Sequence, residues 1–284
     1  LEQFKKIVDE LSKNNMGWLQ DIVPNHMAYH PKNKWLMDVL EKGRRSLYAS
    51  YFDIDWNNAV DGDKLMVPFL NGDFLEVFEK KELQVIYQDS RLGYKYFDNF
   101  YPVSPESYLA VSEICSNIPQ SLQPVVTKLQ HELQITNKDL FAGSWKDFLL
   151  LFNSLQRDKD VLEHLTICLE KINADKELFQ KIAELQCYRL CNWRETDYRI
   201  NYRRFFTVNE LICTNIQDKK VFDRYHQFIL RLCNKNFFSG LRIDHIDGLY
   251  YPAEYLERLR LAAGDNIYIV VEKILQSTEM LPSK

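Results

Sequence analysis

Residues 240–251, GLRIDHIDGLYY, constrain the fold more than any other part of this chain. The residues just before, FFSG at 237–240, are short, apolar and glycine-marked, as the start of a buried strand is. Leu241 and Ile243 alternate with Arg242 and Asp244, so an extended backbone points the two charges to one side. Pro252 then opens a helix with Leu256, Leu259 and Ala263 at helical spacing, and Gly264 can stop it. A strand that ends in charged side chains and turns straight into a helix is a βα loop. Parallel α/β barrels carry their active sites on such loops. Taken alone, R-x-D is also what a structural ion pair at a strand end looks like.

Two further stretches repeat the arrangement. Residues 21–26, DIVPNH, follow an apolar run and end in polar groups. Residues 267–272, IYIVVE, are a strongly β-prone run closed by Glu272. Helices are expected over 3–13, from Phe4, Ile7, Val8 and Leu11, and over 219–236, from Val221, Phe222, Tyr225, Phe228, Ile229 and Leu232. Without the segments between them, helix and strand alternate, which argues for an α/β fold with a parallel sheet.

The intervening segments differ in character. Residues 27–56 read as an irregular polar and aromatic excursion from the strand that Pro24 ends. In residues 64–98, Asn71-Gly72 between two apolar runs signals a two-residue hairpin, with further strands at 83–87 and 94–97. This predicts a small antiparallel β subdomain. Residues 98–107, with Pro102 and Pro105, read as a linker, and residues 108–193 as a helical insertion. The six cysteines lack paired metal spacing. Cys187 and Cys191 fall four apart on an expected helix with no matching pair nearby, so buried thiols in a reducing cytoplasm account for them and no metal is expected.

Composition removes whole classes of function. A net charge of −4 argues against a nucleic-acid partner, whose phosphates demand a basic face. No apolar stretch approaches the roughly 20 residues of a membrane helix, and no secretory leader is visible. The chain opens on Leu1 and closes on LPSK at 281–284 shortly after a strand, and it reads as a fragment of a larger protein.

Acids at the tips of neighbouring strands suit sugar chemistry. Cleaving a glycosidic bond with retention needs two carboxyl groups about 5–5.5 Å apart. One stays ionised and attacks; the other holds a proton to give the leaving oxygen. Arg242, two residues before Asp244, would orient that carboxylate and favour its charge. Glu272 closes an apolar strand, where desolvation favours the protonated acid. Asp244 is therefore the expected nucleophile and Glu272 the expected acid/base, with no cofactor.

DIVPNH, GLRID at 240–244 and VE at 271–272 resemble, in order, three of the four characteristic regions of the α-amylase family of glycoside hydrolases, glycoside hydrolase family 13. The resemblance implies a fragment of a (β/α)8 TIM barrel covering its third, fourth and fifth strands. The third strand would then lie in residues 1–26. An inserted loop and the antiparallel subdomain would occupy 27–107, the helical insertion 108–193, and the fourth and fifth strands 194–284. It also implies that Asp244 is the nucleophile, Glu272 the proton donor and Arg242 the positioning residue. His26 would meet the sugar, and Asp21 and Asn25 would hold the loop. The longer runs DIVPNHMA, YASYFDIDW, NYRRFF and DHIDGLY are similar to those family members that rearrange a maltooligosaccharide within itself. They convert its reducing-end α-1,4 bond to an α,α-1,1 bond, which makes them isomerases. His245, Asp247, Tyr202, Arg203 and Arg204 are then candidates for the wall that holds the released glucose, although Arg203 and Arg204 suit ion pairs equally. The fourth region, with a third carboxylate, is not in this sequence. A glucan hydrolase or a non-catalytic sugar-binding relative stays open as an alternative.

Overall fold

Three parallel strands carry the charged stretches: Leu19–Ile22, Gly240–Ile243 and Tyr268–Val271, side by side in that order. The computed structural model describes residues 2–58 and 62–280. The expectations attached to Leu1, to residues 59–61 within the inserted segment and to residues 281–284 lie outside the described residues. The chain runs α1 (Glu2–Lys13), β1 (Leu19–Ile22), β2 (His26–Ala28), α2 (Lys34–Lys42), β3 (Leu65–Leu70), α3 (Phe74–Glu79), β4 (Leu83–Gln88), β5 (Arg91–Tyr96) and β6 (Asn99–Pro102). Five helices come next: α4 (Pro105–Glu113), α5 (Gln123–Glu132), α6 (Lys138–Ser154), α7 (Lys159–Ala174) and α8 (Lys176–Glu184). Then come β7 (Tyr188–Asn192), β8 (Arg204–Phe205), β9 (Val208–Cys213), α9 (Lys219–Cys233), β10 (Gly240–Ile243), α10 (Pro252–Ala263) and β11 (Tyr268–Val271). No helix among the described residues is long and apolar enough to cross a membrane.

The chain forms two units. One joins the residues up to Ala28 with those from Arg204 onward; the other is Tyr29–Arg203. In the first, Asp21 registers with Arg242, and Ile243 with Val271. Leu241 and Ile243 are fully buried, whereas Arg242 between them is partly open, so the expected alternation separates an apolar from a charged face. α9 and α10 contribute Val221, Phe222, Leu232, Tyr255 and Leu259 to the same core. Asp218 caps α9 by accepting from the Lys220 and Val221 amides. The Tyr225 hydroxyl donates to the Val23 carbonyl at 2.5 Å, tying α9 to the end of β1. Gly240 is required where β10 meets β11: a Cβ there would lie 2.8 Å from the Tyr268 carbonyl oxygen. A second sheet, β2-β9-β8, is antiparallel.

The second unit holds the expected small antiparallel sheet, β4-β5-β6, and the expected helices. Its first hairpin turns at Asp89 and Ser90, both with positive φ. Several expectations are corrected here. Asn71-Gly72 does not close a hairpin. Asp73 and Glu76 form a capping box that starts α3, and β3 pairs instead with β7 in parallel. The stretch 27–56 is not wholly irregular, because Asn33 caps α2 and Leu36, Val39 and Leu40 bury its inner face. Residues 98–107 are not a linker: Asn99–Pro102 is the third strand of the small sheet, and Pro105 opens α4 at a position where no amide is needed. Cys187 and Cys191 do not share a helix face, since Tyr188–Asn192 is a strand.

Candidate active site

Strand register alone brings the acids together. Asp244 and Glu272 each stand one residue beyond the paired positions Ile243 and Val271. The ladder continues through them: the Asp244 amide donates to the Ile22 carbonyl at 2.9 Å, and the Glu272 amide to the Ile243 carbonyl at 2.8 Å. Register-matched residues on adjacent parallel strands point to the same side, about 4.8 Å apart. One ligand-bearing atom from each of Asp244, His245 and Glu272 lies within 4.8 Å of the others, so the two carboxylates face each other at close quarters.

Arg242, on the same face, reaches two acids. Its Nη1 lies 2.5 Å from Asp21 Oδ2 and 2.7 Å from Asp244 Oδ1. Asp21 is across the strand pair from Arg242, so this bridge comes directly from register. His245 takes the left-handed conformation (φ 53°), which ends β10 and folds its ring back over the strand tips. Its Nε2 lies 3.1 Å from Asp244 Oδ2 and its Nδ1 3.2 Å from Glu272 Oε2. Its backbone amide also donates to Glu272 Oε2 at 2.9 Å. The side chains of Asp244 and Glu272 are 19 % and 26 % exposed, open enough to meet a ligand. Asp244, His245 and Glu272 also offer ligand atoms at cation spacing, and the ring of His245 lying between the two acids accounts for that closeness.

β2 carries His26 into the same unit. The Thr214 amide and hydroxyl hold the turn before it by donating to the carbonyls of Asn25 and Pro24 at 2.9 and 2.6 Å. Asn25 is buried, and Gly248 packs so close that a Cβ there would lie 2.9 Å from its side chain. Desolvation pushes the His26 imidazole below its ordinary pKa, and His245 adds to this while the Asp244 charge opposes it. Phe205 joins the histidines: its ring stacks on His26 at 4.3 Å and meets His245 at 4.5 Å. Sequence reasoning overlooked Phe205. The run RRFF at 203–206 was its only signal, and nothing local says which ring turns inward.

The other candidates are less central. Asp247 is exposed on the turn after His245. Arg204 donates to Asn209 across the β8–β9 turn. Tyr202 and Arg203 belong to the second unit. There Tyr202 is buried edge-on against Tyr29 at 5.3 Å, and Arg203 pairs with Asp53 at 2.6 Å.

No family model matches the chain. It does match, over nearly its whole length, segments of synthases that form glycosyl trehalose. DSM5389 glycosyltrehalose synthase is 31 % identical with a TM-score of 0.70, over 99 % of this chain and 30 % of that one. The structure of maltooligosyltrehalose synthase from Arthrobacter ramosus is 28 % identical with a TM-score of 0.66, over 99 % of this chain and 27 % of that one. A Mycobacterium tuberculosis (strain CDC 1551 / Oshkosh) protein described as "Putative maltooligosyl trehalose synthase" is 30 % identical over 268 residues, 94 % of this chain. This chain is therefore a relative of the maltooligosyl trehalose synthases. It spans 25 % of the length of that mycobacterial relative.

Proposed function

We propose that this chain supplies the central part of a retaining transglucosylase centre of the α-amylase type, with β1, β10 and β11 as the third to fifth strands of a (β/α)8 barrel. The reaction is intramolecular: the reducing-end α-1,4 bond of a maltooligosaccharide becomes an α,α-1,1 bond. One observation carries this reading. Asp244 and Glu272 meet face to face at matched positions on adjacent strands, with Arg242 bridging Asp21 and Asp244 beside them.

Asp244 attacks the anomeric carbon of the penultimate glucose while Glu272 protonates the departing oxygen. This leaves a glycosyl–Asp244 ester and a free glucose. Arg242 holds the Asp244 carboxylate in line. The released glucose stays, turns, and attacks the anomeric carbon of the bound glycosyl unit through its own anomeric hydroxyl; the bond to Asp244 breaks, freeing the carboxylate, and the hydroxyl proton returns to Glu272. Retention is preserved because two inversions occur at one carbon. The rearrangement outruns hydrolysis only while water is kept out. His26, Phe205 and His245 form one continuous surface beside the acids, suited to a sugar ring with an apolar face and a hydroxylated rim.

The test uses the full-length enzyme that carries this segment, incubated with maltopentaose. A product of unchanged mass with loss of reducing sugar supports rearrangement; a rise in reducing sugar supports a hydrolase instead. Asp244→Asn should reduce turnover by at least about 10³-fold, as loss of a catalytic group does. Near wild-type turnover in that variant would refute the assignment and favour a non-catalytic sugar-binding relative. The present chain alone, which spans about 30 % of the solved relatives' length, should show little or no turnover.

A further inference from the structure

The helical part of the second unit contains a cluster that residue spacing does not reveal. His164 and Cys168 are one turn apart on α7, at i and i+4, and so share a face. Cys115 lies just past the end of α4. One ligand atom from each of the three lies within 4.8 Å of the other two, and all three side chains are buried. His164 Nε2 is 3.6 Å from Cys168 Sγ and 3.1 Å from the Ser112 carbonyl oxygen.

Ordinary core packing explains one buried thiol, because cysteine behaves as a small apolar residue. Here two thiols and an imidazole converge on one point, which is also the donor set of a metal site. We propose that Cys115, His164 and Cys168 form a binding site for one borderline-soft divalent ion of the zinc type. Two thiolates and an imidazole are the donor set such ions select over oxygen-seeking ones. Zinc–sulfur and zinc–nitrogen bonds at a tetrahedral angle place their ends about 3.5 Å apart, close to the observed separation of Cys168 Sγ and His164 Nε2. The cluster sits at the C-terminal end of α4, where the last carbonyls, Ser112 among them, carry partial negative charge. On binding, the two thiols release their protons, and the Nε2 hydrogen that His164 otherwise donates to the Ser112 carbonyl gives way to one on Nδ1, which frees Nε2 to ligate. The ion would clamp the end of α4 to the middle of α7, elements some 50 residues apart in the chain.

The experiment uses the whole chain, reduced, stripped with chelator and titrated with Co(II). One cobalt per chain is expected, with a thiolate-to-cobalt charge-transfer band and tetrahedral d–d absorption, both removed by added zinc. Zinc should also raise the melting temperature of the stripped protein. Cys115→Ser and Cys168→Ser should each weaken the charge-transfer band and abolish the zinc-induced rise. Cys233→Ser, a buried thiol of the other unit, should leave both unchanged. Where a serine variant fails to fold by circular dichroism, peptide mapping of the unaltered protein decides: zinc should slow alkylation of Cys115 and Cys168 and leave Cys233 as before. Absence of the charge-transfer band, its full retention in both folded serine variants, or unchanged alkylation of the pair overturns the proposal. So does recovery of a Cys115–Cys168 disulfide from protein that binds no metal when reduced.

Discussion

Lowering the pH should weaken the first unit through His226, a residue with no part in the proposed chemistry. His226 lies on α9 with no solvent exposure. Its Nδ1 donates to the Phe222 carbonyl at 2.9 Å, and its Nε2 accepts from the Tyr255 hydroxyl at 2.8 Å, which ties α9 to α10. Both contacts are satisfied by the neutral ring. Burial drives its pKa from 6.5 down to about 4, against the smaller opposing effects of the Phe222 carbonyl and Asp223. Between these values the unfolded chain binds a proton that the folded chain refuses, so stability rises with pH. The contribution is complete above pH 6.5 and is lost as pH falls towards 4. A shift of this size corresponds to about 3 kcal/mol. Urea unfolding of the chain, monitored by circular dichroism at several pH values from 4 to 7.5, measures it directly. His226→Gln removes the titration, so the variant should lose less stability than the unaltered chain across that window. Proton-detected titration of the folded protein should show a histidine that stays neutral until about pH 4. Identical pH dependence in the two proteins would refute the reasoning.

Other outcomes rest on single contacts. Phe205→Ala removes the ring between His26 and His245, each contact worth about 0.5–1.5 kcal/mol in an aromatic pair; KM for maltopentaose in the full-length enzyme should rise several-fold while the fold is kept. Unchanged KM would place the ring outside the sugar's path. Gly248→Ala drives a methyl into the Asn25 side chain at 2.9 Å and should destabilise the first unit by about 1–3 kcal/mol, read from its urea midpoint. Asp73→Ala strips the capping box from α3 and should cost the second unit about 1 kcal/mol, measured the same way.

The parallel core was legible because burial leaves a local mark. Leu241 and Ile243 had to alternate with Arg242 and Asp244 for one face to be dry, and the acid closing each run marked the strand tips. The facing of Asp244 and Glu272 could be argued from that pattern. The Arg242–Asp21 bridge could not, since it depends on β1 and β10 sharing register across more than 200 residues of chain. Asn71-Gly72 misled because a turn-prone pair does not dictate whether a strand or a helix comes after it, and the Asp73–Glu76 capping box outweighed the hairpin. Tyr188, Leu190 and Cys191 are all buried, so the strand does not alternate cleanly, and five residues beside a long helical block are too few to separate the two periods. Phe205 and the Cys115–His164–Cys168 cluster depend wholly on distant segments meeting, which no window of sequence contains.

His245 stands between the two acids, within reach of both. Each acid keeps a donor that does not depend on the imidazole: Arg242 for Asp244, and the His245 amide for Glu272. The ring has an acid beside each nitrogen. Whichever ring nitrogen faces an acid with a hydrogen, neither carboxylate depends on it. In the proposed double displacement Asp244 stays the nucleophile throughout, so only Glu272 has to give up and regain a proton.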